Sequence, residues 1–171
     1  MNELLPLVDE SGKVTGSAPR RACHDGSKRL HPVVHLFVWN KKGDILLQKR
    51  SLHKDLQPGK WDTSVGGHVD FGESVEQALH REAQEELGIT AFVPQFLRSA
   101  VFESDIEKEL VYSYRTLYEG PFEFNPGEID EIRFWSRDEI ERNIGKSVFT
   151  PHFEKEFASF GTGAAAFPVY F

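Results

Sequence analysis

One cysteine, Cys23, stands among 171 residues. A disulfide framework within the chain is therefore excluded, and a reducing compartment, the cytoplasm, fits best. Basic residues are outnumbered: 20 Lys and Arg against 27 Asp and Glu give a net charge of −7. No basic stripe is present, which excludes the electrostatic footprint of a nonspecific binder of nucleic-acid polymers. No apolar run approaches membrane-spanning length. Leu4–Val8 is too short, and too near acids, to read as a signal peptide. Internal repeats and long low-complexity linkers are also missing. What the chain has in abundance is phenylalanine: 14 Phe bring aromatics to 12%, within an apolar content of 39%. Such residues bury large areas, and the length suits a single domain over residues 1–171.

Periodicity gives a coarse structure. Leu4–Val8 and Val14–Gly16 flank Glu10-Ser11-Gly12-Lys13, predicting a hairpin extension over roughly residues 1–30. Val33–Trp39 and Ile45–Arg50 flank Lys41-Lys42-Gly43-Asp44, predicting a second hairpin. Trp61–Val65 predicts one short strand, and Phe96–Phe102, Leu110–Tyr118 and Glu131–Trp135 three more. Ser136 with Glu139 three residues on marks a helix start, and Pro151–Phe160 predicts a last helix. Strands around one acidic helix, with helices late in the chain, give a mixed α/β (α+β) domain. For the small, apolar tail Gly161–Phe171, docking on the core, fraying and contact with a partner chain all stay open.

The densest signal lies in residues 67–89, GHVDFGESVEQALHREAQEELGI. Ser74 and Gln77 read as a capping box and Gly88 as the stop of one helix. Val75, Leu79, Ala83 and Leu87 recur every four residues as its buried stripe. Glu82, Glu85 and Glu86 lie at i, i+3 and i+4, with Glu82 and Glu86 beside that stripe. Like charges so spaced cost about 0.2–0.5 kcal/mol per pair, and carboxylates turned toward a packed side need partners or a metal. Arg81 supplies one cation, which does not balance three acids. Hard divalent cations take oxygen ligands, and Mg²⁺ usually sits between carboxylates and a substrate phosphate. Gly66, Gly67 and Gly72 punctuate the preceding loop, where backbone can approach a ligand closely. These residues together read as a carboxylate-held Mg²⁺ (or Mn²⁺) site for a phosphate-bearing small molecule.

The spacing G-x5-E-x7-R-E-A-x-E-E-x-G-I resembles the Nudix box at every defined position: Gly67, Glu73, Arg81, Glu82, Ala83, Glu85, Glu86, Gly88 and Ile89. So many fixed positions make chance a poor explanation. The resemblance implies a Nudix-type α/β/α sandwich with a mixed central sheet and a loop-helix-loop box. It also implies metal-dependent hydrolysis of a diphosphate joined to another moiety.

Outside the box the chain looks like the branch of that superfamily containing type I isopentenyl-diphosphate isomerase. The similar features include LVDESGKVTG, Arg29-Leu30-His31, LFVWNKKGDILLQKRSLHK, Pro58–Trp61, Ser64, Gly67-His68, Glu107-Lys108-Glu109 and Phe149-Thr150-Pro151. That isomerase binds one metal through three histidines and two glutamates, which implies a second metal site at His24, His31, His68, Glu107 and Glu109. Spacing alone says only that Glu107 and Glu109, on a strand, would share a face. Where the isomerase carries its catalytic cysteine, this chain has Gly66, and Cys23 lies elsewhere. An absent thiol beside an intact acidic box implies hydrolysis.

Within the resemblance, Glu85 and Glu86 are the primary metal ligands, with the Gly66 carbonyl as a backbone ligand. Glu82 is either a ligand or the general base acting on the attacking water, and Glu107 or Glu109 is the alternative base. Arg81 orients Glu82 or Glu73, and Glu73 fixes the loop–helix geometry. Lys49, Arg50 and Lys54 are the cations available to a diphosphate, with a solvated strand end as the plainer alternative. Trp61, Phe71, Phe102 and Trp135 either stack on a base or belong to the core. Two further readings remain at this point: an isomerase with a non-cysteine proton donor, and a non-catalytic nucleotide- or metal-binding module. A homodimer is the default expectation.

Overall fold

The computed structural model describes residues 3–160, and the Gly161–Phe171 segment lies outside them. Strands β1 (Leu4–Val8) and β2 (Val14–Pro19) pair antiparallel as a separate two-stranded sheet. Asp9 shapes their turn: its Oδ1 accepts from the backbone N–H groups of Ser11 at 2.9 Å and Lys13 at 3.0 Å. A single helical turn, α1 (Arg20–Cys23), follows and was not legible in the periodicity. Leu5, Ala18 and Cys23 bury against one another beneath it. The Phe71 N–H donates to the Leu4 carbonyl at 3.0 Å, which ties this hairpin to the glycine loop.

Strands β3 (Leu30–Trp39) and β4 (Ile45–Arg50) depart from the expected hairpin. The turn closes, with the Gly43 N–H donating to the Asn40 carbonyl at 3.1 Å, but only Trp39 and Ile45 are in register. Beyond them the strands fork, because other strands claim their facing edges. The expected single strand from Trp61 is two pieces, β5 (Trp61–Asp62) on β4 and β6 (Val65–His68) on β3. Ser64 sits in the fork. Its hydroxyl accepts from the Val38 N–H at 2.9 Å and donates to the Leu46 carbonyl, joining strands that no longer pair. The turn signal in 41–44 is local, whereas pairing is decided by residues far away in sequence.

The long helix α2 (Val75–Leu87) carries the acidic cluster. Both halves of its capping box form between Ser74 and Gln77, and Gly88 closes it in the left-handed conformation at φ 69°. Strands β7 (Gln95–Glu103) and β8 (Lys108–Leu117) form an antiparallel pair, and β9 (Ile129–Trp135) lies along β4. β8 runs parallel to β3 from Leu30–Lys108 to Trp39–Leu117, so the seven-stranded sheet is mixed. Helix α3 (Arg137–Asn143) begins at the Ser136–Glu139 capping box, and α4 (Pro151–Ser159) at Thr150.

The core splits by the period of two along β3. Val34, Leu36 and Val38 pack with Leu79, Ala83 and Leu87 of α2. Phe37 and Trp39, on the other face, pack with Phe149, Phe153 and Phe157 around α4. Helices on both faces of a mixed sheet give the α/β/α sandwich expected above. Among the described residues, no helix is long and apolar enough to cross a membrane.

Candidate active site

Arg81 organises the box. Its Nε and Nη2 donate to the two oxygens of Glu73, at 2.8 and 3.0 Å, in the bidentate fork that makes arginine–carboxylate pairs strong. Nη2 also donates to the His68 carbonyl at 2.9 Å, and Nη1 to Glu82 Oε1 at 2.7 Å and Glu85 Oε2 at 3.3 Å. Glu73 in turn accepts from the Asp70 N–H at 3.0 Å. One guanidinium thus joins loop, strand and helix, and it reaches both carboxylates it was expected to orient.

Glu82 lies directly over Gly67. A Cβ on that glycine would collide with the Glu82 carboxylate, so the glycine is a cradle for the acid. Glu86 accepts from the Gly66 N–H at 3.1 Å and from Gln48 Nε2 at 2.9 Å. Gln48 also donates to the Ser64 carbonyl at 3.0 Å, so the β3–β4 fork positions it. Burial above all, and then the charge of Glu82, push the Glu86 carboxyl from 4.5 up to about 8. Burial likewise raises Glu82, against the pull of Arg81.

These acids open on a cavity of about 310 Å³ lined by Gln48, Arg50, Lys54, Glu82, Glu85 and Glu86, with Asn125 and Glu128 across from the box. Arg50 is held by Asp62 at 3.5 Å and Lys54 by Glu128 at 3.2 Å. Lys49, offered with them from the sequence, is not among the lining residues. The donor set fits a hard divalent cation: three carboxylates, two of them half-buried, face a cavity that holds Arg and Lys as well. Of the aromatics, Trp61 and Trp135 belong to the core, Phe102 stacks on His152 at 3.8 Å, and Phe71 is exposed.

The raised Glu86 value has a pH consequence. The metal-free folded chain keeps a proton that the unfolded chain releases near 4.5, so this contribution to stability is present below 4.5 and lost as pH rises through about 8. A bound cation takes the proton's place. The rise in Tm produced by Mg²⁺ should therefore grow as pH passes upward through about 8. Differential scanning fluorimetry reads this, and a Mg²⁺ shift that does not change with pH would contradict it.

The second group comes together on the opposite face of β6. Ligand atoms of His24, His31, His68 and Glu109 all lie within 4.8 Å of one another. Glu107 joins through His24 Nε2 at 3.0 Å, just ahead of β8 rather than within it. His31 Nε2 is buried without a hydrogen bond, the state of a nitrogen that awaits a ligand. Burial, with positive neighbours, holds His68 far below the usual imidazole range. Burial and the Glu107 charge push Glu109 up to about 8. Burial also lowers His31, whereas the hydrogen bond to Glu107 raises His24; two imidazoles held neutral beside the Glu109 carboxylate suit a transition metal.

Sequence reasoning missed Gln48, Asn125 and Glu128 at the first cavity, and His35, His152 and Glu156 beyond the second group. Two spacings held the latter signal. His31 and His35, four apart on a strand, share a face, as do His152 and Glu156, four apart on a helix.

An acidic helix that presses a carboxylate over a glycine loop, on a mixed sheet covered by helices on both faces, defines a Nudix-fold protein. Residues 29–153 match the NUDIX domain family, leaving the first hairpin outside the match. An uncharacterized Nudix hydrolase of Yersinia pestis is 36% identical over 152 residues, covering 87% of this chain and 80% of that protein. An isopentenyl-diphosphate Delta-isomerase of Serratia proteamaculans is 30% identical over 153 residues, covering 88% and 84%. The solved protein DR0079 of Deinococcus radiodurans superposes with a TM-score of 0.72 at 28% identity, over 98% of this chain and 97% of that one. The chain belongs to the Nudix family of hydrolases, and its relatives include proteins named as isomerases.

Proposed function

We propose that the protein is a divalent-metal-dependent hydrolase that cleaves the diphosphate linkage of a small organic diphosphate, nucleoside diphosphate derivatives being the first class to test. The observation that carries this reading is the shared cavity, with Glu82, Glu85 and Glu86 facing Arg50 and Lys54. Breaking a P–O–P bridge spreads charge over phosphoryl oxygens, so catalysis is largely positioning and electrostatic stabilisation. Glu85 and Glu86 would hold Mg²⁺ (or Mn²⁺), with Glu82 or the Gly66 carbonyl completing the donor set. When bound, such a cation neutralises phosphoryl charge and makes water more acidic. Glu82, where it is not a ligand, takes the proton of the attacking water; its raised carboxyl value suits a base. Arg81 keeps Glu82 over Gly67, while Arg50 and Lys54 exchange Asp62 and Glu128 for the diphosphate. The same reading takes residues 1–171 as one domain in the cytoplasm, acting on a small molecule rather than on a nucleic-acid polymer or a membrane, and forming a homodimer by default.

A second reading, an isoprenoid-diphosphate isomerase, is favoured by one observation. A Cβ on Gly66 would stand 3.2 Å from Cδ2 and 3.4 Å from Nε2 of His35. The imidazole thus occupies the space of the missing cysteine and offers a titratable nitrogen there. ³¹P NMR with Mg²⁺ separates the readings, using a panel of nucleoside diphosphate derivatives and isopentenyl diphosphate. Monophosphate signals that appear with wild type and vanish with Glu85→Gln support hydrolysis. Unchanged phosphorus spectra, with solvent deuterium entering isopentenyl diphosphate, overturn it in favour of isomerisation.

A further inference from the structure

We infer that His35, His152 and Glu156 form a transition-metal site of their own, joined to the His24–His31–His68 group through the carboxylate of Glu109. The three donors come from two elements fixed by the core. His35 lies on β3, on the face that carries Phe37 and Trp39 into the α4 cluster. His152 and Glu156 lie one turn apart on α4, whose next residues Phe153 and Phe157 are buried in that cluster. One ligand atom from each of the three lies within 4.8 Å of the other two.

Supporting contacts hold each donor. The Ser113 hydroxyl donates to Glu156 Oε1, and His35 Nδ1 lies 2.6 Å from Glu156 Oε2. Phe102 stacks on the His152 ring, with centroids 3.8 Å apart and planes 10° from parallel, which fixes its tilt. The His152 side chain makes no hydrogen bond among the described residues; Glu109 Oε2 lies 3.6 Å from its Nδ1. The other Glu109 oxygen, Oε1, lies 3.9 Å from His31 Nε2. One buried carboxylate therefore turns one oxygen to each histidine group, the arrangement of a shared ligand between two ions.

The plainer explanation is a self-satisfied His35–Glu156 pair. It accounts for two of the three residues and leaves His152 held by stacking against a buried carboxylate it does not bond. Glu107, Glu109 and Glu156 are all partly or fully buried among five imidazoles, and buried carboxylates persist where they are paired or coordinate metals. Two imidazoles with one carboxylate is a donor set for Zn²⁺ or Fe²⁺ rather than Mg²⁺. A small cavity of about 80 Å³, lined among others by Ser113, His152 and Glu156, gives an entry path among the described residues. This inference stands whether or not the box hydrolyses diphosphates.

The test counts zinc. Full-length protein, stripped with a chelator and kept in excess Mg²⁺ so that the all-oxygen box stays filled, is titrated with Zn²⁺ against a chromophoric competing chelator. Two tight equivalents are expected for wild type, one for His152→Ala and one for His68→Ala, with Glu156→Gln weakening one equivalent about 10-fold or more. Cobalt(II) loading should add a magnetic signature of coupling between the two ions, lost in either histidine variant. A single equivalent in wild type overturns the proposal, and this count holds even if a variant fails to fold. Two equivalents retained in folded His152→Ala overturn it as well.

Discussion

Gly67→Ala should lower the rate of diphosphate hydrolysis by about 10²-fold while leaving the fold standing. The added methyl would collide with the Glu82 carboxylate, and the group that yields is the free end of a side chain rather than backbone. The helix can therefore stay in place while Glu82 swings off the loop. Its hydrogen bond to Arg81 Nη1, 2.7 Å long, breaks or bends with it. Arg81 still holds Glu73 by two bonds, so the loop keeps its attachment. The loss should fall on kcat more than on KM, because the atoms the added methyl meets most closely all belong to Glu82 rather than to Arg50 or Lys54. Glu82→Gln should lose a factor of about 10²–10⁴ if Glu82 is the base. Steady-state kinetics and urea unfolding on both variants decide the matter. Normal kcat in Gly67→Ala would show that the position of Glu82 does not matter to the reaction.

Phe153→Ala should cost about 3–5 kcal/mol of stability. The Phe153 side chain is fully buried, with ring centroids 5.2 Å from Phe149 and 5.7 Å from Phe157. Its backbone N–H donates to the capping Thr150 Oγ1 at 3.1 Å, and the Thr150 hydroxyl donates in turn to Asp62 Oδ1 at 3.0 Å. Removing the ring leaves a cavity between α4 and the sheet, in a protein whose total stability is of the order of 5–15 kcal/mol. The midpoint of urea unfolding should fall with little change in slope. Because His152 and Glu156 flank Phe153 on α4, their zinc equivalent should weaken before the chain unfolds globally. A midpoint within experimental error of wild type would show that the aromatic cluster does not hold α4.

Much of this structure was legible because its causes are local. The box helix announces itself through Ser74, Gln77 and Gly88, each acting within one turn, and its stripe of Val75, Leu79, Ala83 and Leu87 is buried or half-buried as the spacing requires. Glu82 and Glu86 turn toward the core side and Glu85 outward for the same reason, a fixed 100° per residue. The start of α3 at Ser136–Glu139 is equally local. The hairpin of β3 and β4 is only partly legible: its turn and its antiparallel pairing are real, but the register stops at Trp39–Ile45, because β6 and β9 take the remaining edges and neither partner is near in sequence. The strand expected at Trp61–Val65 broke for the same reason, since the chain changes partner at Thr63-Ser64.

The sequence by itself determined the chemistry on offer: an acidic box on a capped helix, a glycine loop ahead of it, and histidines and glutamates in number. Their types and short spacings follow from covalent geometry and helical period. Only the tertiary structure decided which of them meet. It set Gln48 against Glu86 through the fork at Ser64, left Lys49 off the cavity, and placed His35 where Gly66 leaves room. It also brought His152 and Glu156, more than a hundred residues away in the chain, onto the face of β3. Such contacts depend on strand pairing and on the aromatic core beneath α4, terms that no local pattern contains.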